Sequence, residues 1–342
     1  MTHPARRGGK DDDFLTLGIE TSCDETSVAV LRGGNRLLSN STASQVETHA
    51  PFGGVVPELA ARRHEANLNP LLKMALEEAG ASFGDISLIG VTTGPGLAVS
   101  LAVGIACARA ISSLTRTPCV GVSHLMGHML ANLLDMESPV FPAVSLIVSG
   151  GHTELFYMRS ALDYERLGGT VDDAAGEAFD KIARFLGLGY PGGPAIEAAA
   201  AKAGKSSVRF PRPMLGAENF DFSFSGLKTA VINHVKERGR SADPFEIAFA
   251  FEDAVATVLT EKTVRAAAKT GVTQAYVSGG VAANRMLREK MRSRCDDEGI
   301  ALHIPPPLFC TDNAAMIAKA AFELYTHGRK GHPLTPAPNL LI

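Results

Sequence analysis

The sequence predicts an α/β protein built from two duplicated lobes with a central cleft between them. Short apolar strands alternate with helical stretches along the chain, and this alternation is typical of α/β proteins. The strand–turn–strand pattern at the start of the chain returns near the middle, after Pro139 and Pro142. The length of 342 residues, at roughly 150 residues per domain, also indicates about two domains.

The first lobe is predicted to begin with three short strands separated by polar or glycine turns. A helix that ends at the glycine cap Gly80 follows, and then strands alternate with two apolar helices. The predicted bounds are 15–20, 27–31, 36–42, 88–93 and 119–123 for the strands, and 68–79, 97–114 and about 124–134 for the helices.

The second lobe is predicted to repeat this beginning. Its first two strands, at 143–149 and 153–158, are joined by a polar turn that compares well with the turn at 20–27, which indicates a weak internal duplication. The later elements are helices at about 172–186, 225–238 and 244–269, a strand at 274–278, a helix after Gly279-Gly280, and a last helix at about 311–325. The predicted division is a disordered tail at 1–13, a first lobe at 14–138 plus 311–342, and a second lobe at 139–310.

Composition restricts the possible partners and compartments. The formal net charge is only -3, so binding to a nucleic acid would require local basic patches or other subunits. The five cysteines are odd in number and never spaced C-x-x-C, which argues against a disulfide framework or a zinc ribbon and favours a reducing cytoplasm. The polar start is unlike a secretory signal, and the apolar run at 97–108 is shorter than the roughly 18 residues of a bilayer span. We therefore expect a soluble protein without membrane contact.

The pair His124 and His128 is the first candidate for chemistry. On a helix, positions i and i+4 lie on one face with Cβ atoms about 5–6 Å apart, which is close enough for two imidazoles to hold one metal. Two buried or surface histidines with ordinary hydrogen bonds are the alternative. The surrounding helix is almost entirely apolar, so two imidazoles there need partners.

Asp312 is the best candidate for a third ligand. It precedes a predicted helix, where a carboxylate is favoured by the helix dipole, so a helix-capping aspartate is the alternative interpretation. Two histidines and one carboxylate would suit Fe(II) or Zn(II) with positions left open for substrate.

Polar loops that follow strands form a second set of candidates. They are residues 21–25, 149–153 and 278–280, and each can expose backbone N–H groups to a phosphate. One such loop would usually be only a tight turn, but three in one chain favour nucleotide binding. The sequence lacks both G-x-x-x-x-G-K-[ST] and G-x-G-x-x-G, so neither a P-loop nor a dinucleotide-binding domain is supported.

Two weaker signals remain open. Asp180 and Glu197, near the turn Gly192-Gly193, could accept hydrogen bonds from ribose hydroxyls or could simply be exposed helix carboxylates. Basic residues cluster at 202–212 and 285–294, and they could form either solvated helix faces or part of a phosphate-tracking surface.

In combination, the motifs of this chain resemble the bacterial tRNA N6-adenosine threonylcarbamoyltransferase family, formerly described as O-sialoglycoprotein endopeptidases. They occur in order from about residue 15 to residue 320. The motifs are GIETSCDETS at 18–27, GPGL at 94–97, HLMGH at 124–128, VSGGHT at 148–153, DDAAGEAFDK at 172–181, GYPGGP at 189–194, FSFSGLK at 222–228, SGGVAAN at 278–284 and CTDN at 310–313.

The resemblance implies an actin-like ATPase (ASKHA) fold and a set of site residues. His124, His128 and Asp312 would bind one divalent metal, usually iron and sometimes zinc. The pocket for threonylcarbamoyl-AMP would be lined by Ile147, Val148, Ser149, Gly150, Gly151, Asp180, Gly193, Glu197 and Asn284. Met126 departs from the family, because an acidic residue usually precedes Gly127. Residues 97–100 are also bulkier than the family's usual glycine-rich version.

The implied activity is transfer of the threonylcarbamoyl group to N6 of the adenosine immediately 3′ of the anticodon, in tRNAs that read codons beginning with A, with release of AMP. The implied partners are tRNA, a paralogous actin-like scaffold subunit and a P-loop ATPase subunit.

We predict that Glu25 assists proton transfer or orients the amine, because it belongs to an acidic pair in a loop expected to lie beside phosphate. The alternatives are a non-catalytic nucleotide-binding scaffold and an ATPase or small-molecule carbamoyltransferase. An endopeptidase has little support, because H-x-x-x-H lacks the glutamate of H-E-x-x-H.

Overall fold

A computed structural model describes residues 13–134, 136 and 138–340 of the chain. The predicted tail at 1–13 lies outside the described residues, apart from Asp13. The strands are β1 (Leu15–Glu20), β2 (Glu25–Arg32), β3 (Arg36–Ser44), β4 (Ile86–Gly94), β5 (Cys119–Ser123), β6 (Ala143–Val148), β7 (Thr153–Ser160), β8 (Asp163–Gly169), β9 (Gln274–Ser278) and β10 (Ala301–His303). The helices are α1 (Val46–His49), α2 (Pro57–Ala79), α3 (Ala98–Thr115), α4 (His124–Ala131), α5 (Ala175–Phe185), α6 (Gly192–Ala203), α7 (Ser225–Arg238), α8 (Pro244–Thr270), α9 (Arg285–Asp297), α10 (Pro307–Cys310) and α11 (Ala314–Thr326).

The chain divides into two compact units. Unit one comprises the described residues of Met1–Gln45, Val55–Ser138 and Asp312–Ile342, and unit two comprises Val46–Gly54 and Pro139–Thr311. The segment 46–54 lies within the predicted first lobe, whereas in the structure it belongs to unit two. There Arg184 donates a hydrogen bond to the carbonyl of Gly53 over 3.2 Å.

Both units contain a mixed five-stranded sheet with the same topology. The order is β3-β2-β1-β4-β5 in unit one and β8-β7-β6-β9-β10 in unit two. In each, the first three strands of the unit pair antiparallel, the fourth pairs parallel with the first, and the fifth pairs parallel with the fourth. The predicted α/β fold from a duplicated unit is therefore confirmed.

The C-terminal helix α11 packs directly on the sheet of unit one because glycines replace side chains on two strands. A Cβ atom on Gly18 would lie 2.1 Å from the carbonyl oxygen of Ala314, and one on Gly90 would lie 2.5 Å from the Cβ of Ala321. Ala314 N also donates to the Ser27 hydroxyl over 2.9 Å. This close approach fixes the start of α11, where Asp312 lies.

Several predicted bounds differ from the observed ones. Helix α2 begins at Pro57 rather than residue 68. Proline fits the first helical position because the backbone N–H that it lacks would make no hydrogen bond within the helix there. The first turns also bury Ala60 and His64. Helix α4 ends at Ala131 and α11 begins at Ala314, so both are shorter than predicted. Strands β8 and β10 and helix α6 were not predicted. The two strands lie at sheet edges and lack a continuous apolar face.

Helix α3 is long and apolar enough to cross a membrane by length and composition alone. The apolar run at 97–108 is followed by Arg109, but the helix continues to Thr115. One face of α3, which includes Leu101, Ile105 and Ala108, is buried in the core of unit one. A core helix with such a face passes the same test, so α3 is weak evidence for a membrane span.

Candidate functional site

His124 and His128 lie on consecutive turns of α4, directly after β5. Both are buried, with 5% and 0% of their surface exposed, and their ring centroids are 4.6 Å apart. Gly127, between them, lets α4 approach α11, since a Cβ there would lie 2.8 Å from Cδ1 of Ile317. The i, i+4 spacing thus presents both imidazoles toward the start of α11.

Asp312 lies two residues before α11 and faces both imidazoles. Its Oδ1 is 3.1 Å from Nε2 of His128 and 3.5 Å from Nε2 of His124. The alternative interpretation of Asp312 as a helix cap is wrong, because the side chain of Asn313 accepts the capping hydrogen bond from Met316 N over 3.0 Å. Asn313 rather than Asp312 therefore caps α11.

Glu20, at the end of β1, contacts the opposite edge of the His124 ring. Its Oε2 is 3.2 Å from Nδ1 of His124, and the carboxylate also accepts hydrogen bonds from Ser22 N (2.5 Å) and the Thr92 hydroxyl (2.6 Å). This role of Glu20 was not predicted from the sequence. Its signal was a single acid at the end of the apolar run Leu15–Glu20, all of whose residues are buried.

The pKa shifts of the two imidazoles reflect the negative charges beside them and their own burial. Burial opposes the charged form of the His124 imidazole, but the negative charges of Asp312 and Glu20 outweigh burial and raise its pKa to about 9. Burial and the neighbouring charge of His124 lower the pKa of His128. A cation is therefore favoured between these side chains.

The residues present fit a divalent transition metal. One ligand atom each from His124, His128 and Asp312 can be chosen so that all three lie within 4.8 Å of one another. Nδ1 of His128 is buried and has no hydrogen-bond partner in the described part of the chain. Two imidazoles and one carboxylate are a donor set for Fe(II) or Zn(II) with open positions. The structure thus contains a possible His-His-Asp metal site.

Glu25 is the first residue of β2 and is half-buried. It accepts a hydrogen bond from the Ser44 hydroxyl over 3.2 Å. Burial and the negative charges of Asp24 and Asp312 raise the pKa of Glu25 well above its usual range. Its carboxyl group therefore lies in the electrostatic field of the possible metal site, and its shifted pKa is typical of acid–base residues.

In unit two, the turn between β6 and β7 occupies the position of the 20–27 turn in unit one. Ile147 and Val148 are fully buried strand residues, and Ser149 N donates to the carbonyl of His152 over 2.8 Å. A Cβ atom added to Gly150 or Gly151 would meet no atom within 4 Å. These two glycines therefore face open space, while Ile147 and Val148 belong to the core.

Asp180 lies in α5 and binds the start of α6. Its Oδ1 accepts a hydrogen bond from Gly192 N over 2.7 Å, and the neighbouring Gly193 has open space where a Cβ would be. Parallel pairing of β6 with β9 places residue 147 opposite Ser278, so the loops that follow both strands lie at the same edge of the sheet.

Asn284 and Glu197 form one hydrogen-bonded group. Asn284 Nδ2 donates to Glu197 Oε2 over 3.2 Å and to Glu252 Oε1 over 2.5 Å. Glu252, in α8, was missed by the sequence analysis. The only feature of the sequence that could have indicated a role for Glu252 is the position of an acidic residue close to the apolar residues Phe251 and Val255 within one helix.

Comparisons with known proteins agree with the sequence motifs. The sequence profile of the family described as tRNA N6-adenosine threonylcarbamoyltransferase matches residues 36–319. A protein of that name from Symbiobacterium thermophilum is 50% identical over 329 residues, which cover 95% of this chain and 96% of that protein. The protein of that name from Bacillus subtilis is 47% identical over 323 residues, which cover 93% of each.

Solved structures of low sequence identity share the fold. Component A of (R)-2-hydroxyglutaryl-CoA dehydratase from Acidaminococcus fermentans has a TM-score of 0.57 at 16% identity, covering 92% of this chain and 98% of that one. HypF from T. kodakarensis has a TM-score of 0.63 at 16% identity, covering 92% of this chain and 48% of that one. Both have the actin-like ATPase fold, which confirms the predicted fold class. The chain belongs to the tRNA N6-adenosine threonylcarbamoyltransferase family of acyltransferases.

Proposed function

We propose that this chain transfers the threonylcarbamoyl group from threonylcarbamoyl-AMP to N6 of the adenosine immediately 3′ of the anticodon, in tRNAs that read codons beginning with A. The observation that carries the proposal is the group formed by the buried His124 and His128 and the half-buried Asp312 in a chain of this family. A scaffold without catalytic activity would have no need of two buried imidazoles that face one carboxylate.

The reaction forms a C–N bond, breaks a C–O bond and transfers one proton from the amine to a base. N6 of adenosine attacks the carbamoyl carbon, the bond from that carbon to the phosphate oxygen breaks, AMP leaves with the electron pair, and the amine gives up a proton. An exocyclic adenine amine is a poor nucleophile, so the site must make the carbonyl carbon more electrophilic and stabilise its oxyanion. A divalent metal, Fe(II) first and Zn(II) as the alternative, supplies Lewis acidity when bound by His124, His128 and Asp312.

Glu25 is the proposed acceptor of the amine proton. Burial and the charges of Asp24 and Asp312 raise the pKa of its carboxyl group, which makes the ionised form a stronger base. The hydrogen bond from Ser44 holds the carboxyl group in position. We assign Glu25 this role because it combines an acidic side chain, a shifted pKa and the electrostatic influence of Asp312.

The loops of unit two are the proposed binding site for the AMP part of the donor. Open space beside the glycines at 150, 151, 193 and 280 supports this assignment, since packing within the chain does not require glycine at these positions. Backbone N–H groups next to such glycines can approach a phosphate closely. Ile147 and Val148 would contribute through their backbone and by holding the loop, because their side chains are buried.

The carboxylates of Asp180 and Glu197 are the proposed acceptors for ribose hydroxyls, with Asn284 beside them. Asn284 donates to Glu197, so the two side chains act as a unit. A carboxylate accepts hydrogen bonds only, which suits a pair of hydroxyl donors.

The basic clusters favour a role for partner subunits in tRNA binding. Arg212 and Lys290 both pair with Asp253, at 2.6 and 2.8 Å, and Arg294 pairs with Glu261 at 2.9 Å. These acids reduce the positive potential available to a phosphate backbone. We propose that a paralogous actin-like scaffold subunit and a P-loop ATPase subunit complete the tRNA-binding assembly.

The free thiols of all five cysteines suit the cytoplasm as the compartment.

Mass spectrometry of tRNA nucleosides tests the proposal. Unmodified tRNA would be incubated with threonylcarbamoyl-AMP, the partner subunits and this protein, with an Asp312→Asn variant as the matched control. We expect threonylcarbamoyladenosine and an equal amount of AMP with the wild-type chain only. Unchanged adenosine in the complete reaction would contradict the assignment.

A further inference from the structure

Glu252 is a buried acid that the proposed reaction does not yet use. Only 2% of its surface is exposed, and it lies on α8 among apolar neighbours such as Phe251 and Val255. A buried carboxyl group is unfavourable unless a hydrogen-bond partner compensates for lost hydration. Its partner is the carboxamide of Asn284, whose Nδ2 donates to Glu252 Oε1 over 2.5 Å.

The orientation of the Asn284 carboxamide is fixed from its other side. Its Oδ1 accepts a hydrogen bond from Leu287 N over 2.9 Å and so caps the N-terminus of α9. The two hydrogens on Nδ2 must therefore point away from α9, toward Glu252 and Glu197. Asn284 thus donates one N–H to the buried carboxyl group of Glu252 and the other to the half-buried carboxyl group of Glu197.

We propose that Glu252 is a positioning residue of the nucleotide site, because it holds the carboxamide of Asn284 and through it sets the place of the Glu197 carboxylate. This inference rests on the proposed function, in which Glu197 and Asn284 bind the nucleoside part of the donor. Glu252 itself touches no substrate in this arrangement.

Other charged side chains on α6, α8 and α9 face Glu252 or the cavity of about 350 Å³ beside it. They are Glu197, Asp253, Arg285, Glu289 and Lys290. Burial raises the pKa of Glu252 to about 7, with the hydrogen bond from Asn284 and the charge of Arg285 acting against this rise and the charges of Glu197 and Asp253 adding to it. Glu252 therefore changes its charge in the neutral range.

The sign of the pH effect follows from the strength of the bond to Asn284. Above its pKa, Glu252 is a carboxylate, and a hydrogen bond to an ionised acceptor is roughly twice as strong as a neutral one. When Glu252 is ionised, the side chains of Asn284 and Glu197 are therefore more ordered in the unliganded chain than when Glu252 is neutral. The free-energy cost of ordering these side chains upon nucleoside binding is then smaller. Affinity for a nucleoside should therefore rise with pH through this range.

Calorimetric titration with adenosine tests the inference, because adenosine does not ionise near neutral pH whereas the phosphate of AMP does. The full-length chain and its variants Glu252→Gln and Glu252→Leu would be titrated about one pH unit below and above the Glu252 pKa. The matched control is Glu237→Leu, which changes an exposed glutamate of α7 in the same unit. Melting temperatures of all four proteins would be recorded alongside.

We expect the wild-type affinity to rise about fivefold across this interval, and that of Glu252→Gln to stay near the low-pH value because glutamine accepts the same hydrogen bond without a charge. Glu252→Leu should bind about tenfold more weakly than Glu252→Gln at either pH, since it leaves the Asn284 donor without its acceptor. Rescue by glutamine distinguishes positioning from simple loss of packing.

Two different results would overturn the inference, and they are distinguishable. If the wild-type chain binds no adenosine, the nucleotide site assigned to unit two is wrong. If the wild-type chain binds adenosine and Glu252→Gln keeps the same pH dependence, or if Glu252→Leu binds as well as the wild type, then only the role of Glu252 is wrong.

Discussion

Glu20 and His124 form a buried carboxylate–imidazole pair that determines which ring nitrogen of His124 faces Asp312. Nδ1 of His124 lies 3.2 Å from Glu20 Oε2, whereas Nε2 lies on the side of Asp312 Oδ1. Burial opposes ionisation of Glu20, but the charge of His124 and hydrogen bonds from His124 and Ser22 keep its pKa below the usual range. An ionised Glu20 only accepts hydrogen bonds, so the proton of the neutral ring lies on Nδ1.

The first prediction is that Glu20→Gln weakens metal binding. Glutamine has nearly the same size, but it can also donate to Nδ1 and so permits the other tautomer of His124. We expect metal affinity to fall about 10- to 100-fold, as when a hydrogen-bond partner of a ligating histidine is removed. Competition with a chromophoric chelator would measure it. Glu78→Gln, on the exposed face of α2, should bind metal as the wild type does, and an unchanged affinity in Glu20→Gln would contradict the prediction.

The second prediction concerns stability upon metal loading. A metal that binds only the folded chain stabilises it by mass action, by about 4 kcal/mol when the free metal exceeds its Kd roughly 1,000-fold. We therefore expect Fe(II) under anaerobic conditions, or Zn(II), to raise the melting temperature of the wild-type chain. Asp312→Asn should lose most of this rise while melting near the wild-type temperature without added metal. An equal rise in both proteins would place the metal elsewhere.

The fold could be predicted from the sequence because both units repeat one pattern of apolar strands. The element over Ser225–Arg238 and the strand Gln274–Ser278 were predicted with their observed bounds, and each ends directly before a glycine, at Gly239 and Gly279. Strand β8 was missed because it is an edge strand whose residues are mostly exposed or half-buried. Local patterns cannot identify a strand that is defined by its pairing with β7.

The grouping of the three candidate metal ligands could also be predicted. His124 and His128 could be paired because four residues on a helix give a fixed geometry. Asp312 was the candidate third ligand before a predicted helix, with a helix cap as the alternative, and the resemblance implied the same three ligands. Glu20 could not be connected to His124, because the contact spans 104 positions of the chain and depends on the packing of β1 beside β4 and β5. The contact of Glu252 with Asn284 likewise depends on helix packing within unit two.

The third prediction is that Glu25→Gln loses transfer activity without losing the metal. Glutamine preserves the volume and can accept the hydrogen bond from Ser44, but it cannot take a proton at neutral pH. Removing a general base typically lowers the rate about 10²- to 10⁴-fold, so we expect kcat to fall by at least about 10².

Single-turnover measurements with threonylcarbamoyl-AMP and tRNA would test Glu25→Gln. Metal content and melting temperature should match those of the wild type, with Glu78→Gln as the control for loss of a surface carboxylate. Full transfer activity in a correctly folded, metal-loaded Glu25→Gln protein would exclude a catalytic role for this residue.

The fourth prediction concerns Lys262, a fully buried lysine on α8. Its Nζ donates to the carbonyl of Asn219 over 3.2 Å and lies 5.7 Å from the ring centroid of Phe222. Burial and the positive charge of Arg265 lower the pKa of Lys262 to about 8. The charged form is therefore less favourable in the folded chain than in the unfolded one, where lysine has its ordinary pKa of about 10.4.

The contribution of Lys262 to the free energy of unfolding changes with pH in the opposite direction to that of an ion-paired lysine. Between pH 8 and about 10.4 the unfolded chain binds more protons at this position than the folded chain, so the contribution of Lys262 to stability rises with pH. Below this interval the cost of the buried charge is fully present. Lys262→Met removes that cost, and Arg265 still donates to Asn219 in the variant, so we expect it to be more stable than the wild type at neutral pH.

Urea unfolding of wild type, Lys262→Met and Lys269→Met at a series of pH values would test this prediction. The gain in unfolding free energy from Lys262→Met should be largest below pH 8 and should shrink as the pH rises, because the wild-type lysine then becomes neutral in both states. Lys269→Met, an exposed change on the same helix, should show no such pH dependence. A gain from Lys262→Met that stays constant across the series would show that lost packing or hydrogen bonding, rather than the buried charge, determines the difference.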